Sequence, residues 1–445
     1  MTETSALFLL LYISGLAFAI LVRPIYGLYT YMAVFYLHPP SRWWGTHLPD
    51  LRWSLIAALV TLTAIVIRSK SEKTNDRPIW LSSPITKILI LYTGWMWVQS
   101  LWVSSPWHFE GTILFSKYVL LLYLIYNIID DEEKFAGFGF AHVLGCAYLG
   151  WLVFEAPGGG RLEGVGGPGI DNANTLGMHL STGLIFAGFL LLVIPGWKRL
   201  LVIAAIPLIL NGIIQTETRG ALVGLAAGGI ATIYLKPRKY RRAFYALSVV
   251  ALIAFVSIAN SAFIGRMATM NAALNEQVEW DHSARSRLEI VKAQIKMFTE
   301  YPFGYGHQGT TALSTSYLAD EWLAQNSGNR ASHNLIMAIA VDQGIPGLLL
   351  FFVLGYIVIS ELRSLKRLDD LDLPGRLGAY RAMIGGTLVA IFISGMFANY
   401  LKAEVLVWNL ALMAILVNFG NKYRDTTKVK TIHKSDRHVK EGLNN

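Results

Sequence analysis

Four short stretches of this chain place arginines, a histidine and glycines where an anion could be held and a proton moved. The first is Glu217-Thr218-Arg219-Gly220, in which an arginine stands between the end of one apolar run and the start of the next. An ionisable group at a membrane edge is costly unless it is paired or binds something, and Gly220 allows another group close to its backbone. Taken alone, a snorkelling side chain or a local pair with Glu217 is the better account of Arg219. The second stretch is Asp281-His282-Ser283-Ala284-Arg285-Ser286-Arg287, leading into Leu288 to Phe298. Apolar residues at 288, 291, 295 and 298 predict one face of an amphipathic helix, with Asp281 or Ser283 as its N-cap. Arg285 and Arg287 then sit in the first turn, where the helix dipole disfavours cations. A bound anion or nearby carboxylates are expected there, unless water alone solvates both.

The third stretch, Ala331-Ser332-His333-Asn334, opens an apolar helical run that Gly344 and Pro346 end before a full span. A neutral imidazole accepts a proton near neutral pH, so His333 is a candidate general base, although a lone histidine is more often a hydrogen-bonded interfacial one. The fourth, Gly158 to Asn172, is rich in glycine and contains Arg161. Such backbone wraps anions, but without the lysine and spacing of a P-loop the default is a flexible loop with one arginine of interest.

The elements that must position these residues are membrane helices. Charged residues make up 15% of the 445-residue chain against 54% hydrophobic, which excludes a soluble globular fold. Apolar runs near the twenty or so residues needed to cross a bilayer recur along nearly the whole length. The 38 Lys+Arg against 29 Asp+Glu fall between those runs and in the tail. They form no basic face with interleaved aromatics, so nucleic acid is not expected as a partner. A single cysteine, Cys146, lies inside an apolar run, so neither an intramolecular disulfide nor a cysteine-based metal site is expected. The first run, Leu7 to Val22, has no basic region ahead of it and no A-x-A-like cleavage site after it, and is read as a retained helix.

The expected fold is therefore an all-α polytopic integral membrane protein. Candidate spans are Ser5–Val22, Ile25–Leu37, Trp53–Ile67, Ile85–Val103, Thr112–Ile129, Phe135–Phe154, Thr175–Ile194, Leu200–Ile214, Ala221–Leu235, Ala243–Ile264, Gly347–Ser360, Leu377–Tyr400 and Val405–Phe419. Basic clusters at Arg68 to Arg77, Lys236 to Arg242, Arg363 to Arg376 and along the tail are separated by even numbers of spans and so share the cytoplasmic side. Ile25–Leu37 is short and bracketed by Arg23-Pro24 and Pro39-Pro40, and reading it as non-crossing gives twelve spans with both termini inside. The expected division is residues 1–264 as N-terminal transmembrane helices with an extracytoplasmic loop at 155–174. A large extracytoplasmic subdomain at 265–346, C-terminal spans at 347–420 and a basic cytoplasmic tail at 421–445 follow. That subdomain, about 80 residues, is far longer than most connections and is expected to be functional.

Two acidic runs are set aside. Asp130 to Glu133 opens the next helix, where acidic residues are usual, and Asp369 to Asp372 lies among basic residues on the cytoplasmic side. No carboxylate cluster on the outer face calls for Mg²⁺ or Mn²⁺, and no cofactor is expected. The tryptophans near predicted span ends, Trp43 to Trp107, read as an interfacial belt.

Arg219-Gly220 opening a span, Ser283-x-x-x-Arg287 in a large outer loop, Tyr301-Pro302-Phe303-Gly304-Tyr305-Gly306, and His333-Asn334 followed by Gly344-Ile345-Pro346-Gly347 together resemble the O-antigen ligase and polymerase superfamily. The resemblance covers roughly Arg161 to Phe419. Arg23-Pro24 through His38-Pro39-Pro40-Ser41-Arg42-Trp43-Trp44-Gly45 is also similar to the N-terminal portion of a ligase subgroup associated with bacterial exopolysaccharide and sorting systems. The resemblance implies a fold of the all-helical membrane glycosyltransferase type, GT-C, with a helical periplasmic subdomain in the bacterial inner membrane. It implies transfer of a glycan from an undecaprenyl diphosphate carrier to the lipid A–core oligosaccharide on the periplasmic face, without a metal. By position, Arg219 and Arg287 match the paired functional arginines, His333 the proposed catalytic histidine, and Arg161 an arginine ahead of an Asn-rich span start. Arg285 stands beside the motif position, so either it or Arg287 is left to contact phosphate.

Chemistry converges on the same reading. Nucleotide sugars are absent outside the inner membrane, so a transferase there needs a lipid-linked donor, and a diphosphate leaving group needs cations where charge develops. Arginines supply bidentate, permanently charged donors for this without a metal. A polymerase or a protein O-oligosaccharyltransferase of the same superfamily remains open for the acceptor. A transporter or flippase predicts charges at mid-span and broken helices near the bilayer midplane, whereas these cations gather at one edge.

Overall fold

The computed structural model describes residues 2–69, 78–156, 164–258, 282–323, 328–368, 375–399 and 403–442. Arg161 and Asp281, which the sequence singled out, lie outside these residues. Every apolar run identified in the sequence is helical over most of its described length, although the runs expected to reach Val103 and Tyr400 end as helices at Gln99 and Gly395. The helices are α1 (Glu3–Leu21), α2 (Ile25–Leu37), α3 (Trp53–Ser69), α4 (Pro84–Gln99), α5 (Pro106–Ile128), α6 (Glu132–Glu155), α7 (Ala173–Val193) and α8 (Trp197–Gln215). They continue as α9 (Arg219–Leu235), α10 (Arg241–Ile258), α11 (His282–Glu300), α12 (Gly309–Tyr317), α13 (Leu335–Arg367), α14 (Gly375–Gly395) and α15 (Glu404–Gly442). No strand occurs among the described residues.

Local chemistry sets the boundaries. Asp131 caps α6 by accepting the Lys134 amide at 2.7 Å, so part of the acidic run at 130–133 serves as a helix start. Proline occupies the first turn of α4 and of α5, where its missing N–H has no intrahelical partner to lose. Eight helices are long and apolar enough to cross a membrane, namely α1, α5 to α8 and α13 to α15. Helix α9 and the first part of α10 together would make a ninth, but they meet at a bend of 117°. Helices α2 and α4 have 13 and 16 residues, and α3 has 17, all short of the length that spans a hydrocarbon core unaided.

Small residues let α9 and α14 pack with their backbones close. Gly220, Gly224 and Gly228 form a stripe at four-residue spacing, and a Cβ at Gly224 would lie 1.9 Å from Ser394 Oγ while one at Gly228 would lie 2.7 Å from the Gly386 carbonyl oxygen. Such stripes are how membrane helices gain packing contacts where lipid already satisfies their apolar surface. Register along this stripe places Arg219 at the last turn of α14.

The opposite end of the bundle is basic. Buried Arg381 donates to the Leu365 carbonyl at 3.0 Å and to the Leu235 carbonyl at 2.5 Å, satisfying final carbonyls of α13 and α9. Lys366 Nζ lies 3.3 Å over the Tyr234 ring, and Arg424 reaches Ser364 at 3.5 Å. Asn418 donates to Tyr126 Oη, which donates to the Pro78 carbonyl, so the chain just after the first basic cluster joins the same end.

Helix α13 is broken at Gly344, whose φ of 66° and ψ of −163° are open to glycine alone among the common residues. Three backbone bonds tie this break to the Tyr301–Gly306 motif. The Tyr305 amide donates to Val341, Gly306 to Asp342, and Ile345 to Pro302, at 2.8 to 2.9 Å. Gln99 of α4 donates to the Phe303 and Asp342 carbonyls, and Trp95 Nε1 to that of Gln343, covering acceptors the break exposes. Next to it Ile290, Ala293, Met297, Leu313, Leu318 and Val341 form a small core of their own.

The buried face of α11 differs from the one expected. Ser286, Ile290, Ala293, Gln294 and Met297 point inward, whereas Leu288 and Ile295 are exposed. Hydrogen bonds to Ser286 and Gln294 turn these polar residues into the core, which apolar periodicity alone does not register.

Candidate functional site

Arg219 is the first residue of α9, and the chain around it is tied to two neighbouring helices. Thr218 Oγ1 donates to the Ala173 carbonyl at 3.0 Å, at the start of α7, whose own N-cap Asn172 accepts the Thr175 amide at 3.0 Å. Ser394 Oγ donates to the Gly220 carbonyl at 3.2 Å, and a Cβ on Gly220 would lie 2.7 Å from Phe397 Cβ. Glu217 adopts the left-handed region at φ 48°, which turns the chain sharply between α8 and α9.

The segment carrying His333 reaches the same end of α14. Asn334 Nδ2 donates to the Met396 carbonyl at 3.5 Å while its Oδ1 accepts the Met337 amide at 3.0 Å, capping α13. Ser332 Oγ donates to the Asn334 carbonyl and accepts the Asn334 amide, so the backbone is held on both sides of His333. A Cβ on Gly395 would lie 2.9 Å from Leu335 Cδ2, so this cap packs directly on α14. Residues 219–220 and 333–335 thus converge on residues 394–397, although 113 positions separate Gly220 from His333 in the chain.

Arg330, which the sequence reading passed over, makes the remaining connection. Its Nη2 donates to Ser286 Oγ at 3.0 Å, and its amide to Ser314 Oγ at 2.9 Å. Ser286 is buried between exposed Arg285 and half-buried Arg287, so one side chain links the start of α11 to the segment carrying His333. The available signal was an arginine three positions before the histidine. Glu404, half-buried at the start of α15, was likewise not singled out; it accepts a hydrogen bond from Tyr31 Oη at 2.8 Å.

The glycine-rich stretch is held in its described part. The Gly164 amide donates to the Asp171 carbonyl at 2.6 Å, and Arg42 Nη2 to the Val165 carbonyl at 3.0 Å. A Cβ on Gly167 would lie 3.0 Å from the His38 ring, and Ile170 is buried. The Arg42 guanidinium thereby ties the described part of this stretch to the chain after α2. Burial, and then the charge of Arg42, lower the pKa of His38 below its ordinary value near 6.5, keeping that ring neutral against the loop.

Fold and arrangement define an α-helical, multispan membrane protein in which the segments carrying Arg219 and His333 meet at the end of α14. Residues 203–352 match the family model described as O-antigen ligase, a segment that holds Arg219, Arg285, Arg287, Arg330, His333 and the Gly344 break. The match supports the O-antigen ligase and polymerase superfamily for this chain. No curated protein matches it.

Proposed function

We propose that the chain is an O-antigen ligase, moving a glycan from undecaprenyl diphosphate to the lipid A–core oligosaccharide on the periplasmic face of the bacterial inner membrane. The observation that carries the reading is the convergence of the segments bearing Arg219 and His333 on the end of α14, with Arg330 joining Ser286, which stands between Arg285 and Arg287, to the His333 segment. In this reading the basic end of the bundle faces the cytoplasm with the C-terminus. Helices α3 and α4 join the longer ones, with α9 and α10 each crossing and α2 not, in a twelve-span, GT-C type arrangement, tilting and clustering to make up for their length.

Arg219 and Arg287, with Arg161 or Arg285, hold the donor diphosphate and take up the charge that grows on it as the glycosidic bond breaks. His333 accepts the proton of an acceptor hydroxyl while that oxygen bonds to the anomeric carbon from the side opposite the departing diphosphate. One C–O bond forms as another breaks, undecaprenyl diphosphate leaves as the anion, and configuration at the anomeric carbon inverts. No step calls on a metal or another cofactor.

The test is transfer by purified protein supplied with undecaprenyl-diphosphate-linked glycan and lipid A–core acceptor, with a chelator in solution. A slower-migrating glycan–lipid A product that His333→Ala loses while still binding donor is the expected result. Arg219→Ala is expected to weaken use of the donor. Transfer by His333→Ala near the wild-type rate removes the base assignment; longer chains on the lipid carrier itself, with no lipid A product, replace the ligase by a polymerase.

A further inference from the structure

A cluster of polar side chains lies inside the bundle, where lipid-facing helices leave little reason for polarity, and the proposed transfer does not use it. His142 and Cys146 stand one turn apart on α6, and His179 faces them from α7. All three are at most 1% exposed, and one donor atom from each lies within 4.8 Å of the others. Tyr36, near the end of α2, brings a fourth donor: its Oη is 2.5 Å from His142 Nδ1, 3.0 Å from His179 Nε2 and 3.8 Å from Cys146 Sγ.

The hydrogen bonds around the cluster aim lone pairs inward. Thr182 Oγ1 donates its only proton to the His179 carbonyl at 2.6 Å, so at 3.0 Å from His142 Nε2 it can only accept. His142 therefore carries its proton on Nε2, and Nδ1 presents a lone pair to Tyr36 and to Cys146 Sγ, 3.9 Å away. A histidine whose outer nitrogen is bonded and whose inner nitrogen is bare is oriented as metal-bound histidines are. Tetrahedral bonds of about 2.0–2.3 Å set neighbouring donors roughly 3.3–3.8 Å apart; the two separations from Cys146 Sγ match this, and Tyr36 Oη, hydrogen-bonded to both imidazoles, draws back by up to about 1 Å to admit an ion.

We infer that Tyr36, His142, Cys146 and His179 form a tetrahedral site for a closed-shell d¹⁰ cation, zinc(II) or copper(I), inside the helix bundle. Two neutral imidazoles and a thiolate are borderline-to-soft ligands and suit these ions over magnesium or calcium. Electroneutrality, which an apolar interior enforces, is met by zinc with thiolate and phenolate, or by copper(I) with thiolate and a neutral phenol. Zinc binding thus releases the Cys146 and Tyr36 protons, copper(I) the Cys146 proton alone. The single cysteine weighed against such a site in the sequence; the fold supplies the other donors from two more helices. The ion staples α2, α6 and α7 together. His179 is six residues from Ala173, about 9 Å along α7, so the staple also steadies the helix start on which Thr218 docks. It takes no part in glycan transfer.

The inference is tested on the full chain in detergent, stripped of metal, with cobalt(II) as a spectroscopic probe and zinc and copper(I) as competitors. Expected are one cobalt(II) per chain, tetrahedral ligand-field bands and a thiolate-to-cobalt band that Cys146→Ser abolishes. At least tenfold weaker binding is expected in His142→Gln and His179→Gln. The metal-free protein is expected to release two protons on taking up zinc and one on taking up copper(I); uptake of either with no proton released overturns thiolate ligation. X-ray absorption of zinc-loaded wild type, expected to show one sulfur neighbour, keeps the test valid if a variant fails to fold. Absent cobalt bands, cobalt spectra unchanged in Cys146→Ser, or a zinc shell of nitrogen and oxygen alone each overturn the site.

Discussion

Replacing Gly344 by alanine tests whether the break in α13 positions His333. The backbone there, φ 66° and ψ −163°, lies in a region that costs a residue with a Cβ about 1–3 kcal/mol. The added carbon would sit 2.4 Å from the Phe303 carbonyl carbon and the Pro302 oxygen and 2.5 Å from the Gly304 nitrogen. These are backbone atoms that no rotamer change can clear, so overpacking adds about 1–3 kcal/mol more. A total of roughly 2–6 kcal/mol lowers the melting temperature by on the order of 5–10 °C, the shift per kcal/mol being small in a long chain. Relieving the overlap displaces residues 335–343, and a misplacement of about 1 Å at a reacting group is worth about 100-fold in rate. The melt is followed with a thiol-reactive dye, because buried Cys146 becomes reactive only on unfolding, and the rate by glycan transfer. Gly229→Ala is the control: no atom lies within 4 Å of a Cβ there, and the helix gains up to about 1 kcal/mol. A Gly344→Ala protein that melts and transfers like wild type refutes the role given to the break.

Other outcomes follow from neighbouring contacts. Gly220→Ala forces its methyl group to within 2.7 Å of Phe397 Cβ and is expected to lower transfer at least tenfold while costing about 1–3 kcal/mol, read by transfer rate and melting temperature together. Arg330→Gln loses the charged donor to Ser286; donor use is expected to fall with acceptor KM little changed, and Arg330→Lys to recover part of the loss. Because His38 has a lowered pKa in the fold, the unfolded chain takes up its proton first as pH falls below about 6.5, so stability is full above that pH and declines below it. The drop in melting temperature between pH 7.5 and 5.5 should be smaller in His38→Gln. Arg381→Ala strips two helix-end carbonyls of their buried donor and is expected to cost about 2–4 kcal/mol, seen in the same thiol-dye melt.

The helices were legible because lipid imposes a local rule: a run of apolar residues must satisfy its own backbone hydrogen bonds, and the runs at 25–37 and 53–67 fall within a residue or two of α2 and α3. Arg219 and His333 stood out for a related reason, being polar groups at apolar boundaries. Arg330 did not, since an arginine in a polar loop breaks no local rule and acquires meaning only through Ser286, 44 positions away. Histidines 142 and 179 were invisible for the opposite reason, each isolated in an apolar run and given partners only by the packing of α6 on α7. The face of α11 was misjudged because hydropathy ranks Ser286 and Gln294 below Leu288 and Ile295, while hydrogen bonding reverses that order.

The pairing of residues 304–306 with 341–345 has a consequence for the size of product such a protein can handle. These bonds fasten the small core of α11 and α12 to the helix that begins just after His333. On the proposed chemistry, the distance from carrier diphosphate to acceptor hydroxyl is then a fixed gauge, set at the junction sugar alone. Everything beyond that sugar trails away from the machinery, so a glycan of three repeats and one of thirty present the same workpiece.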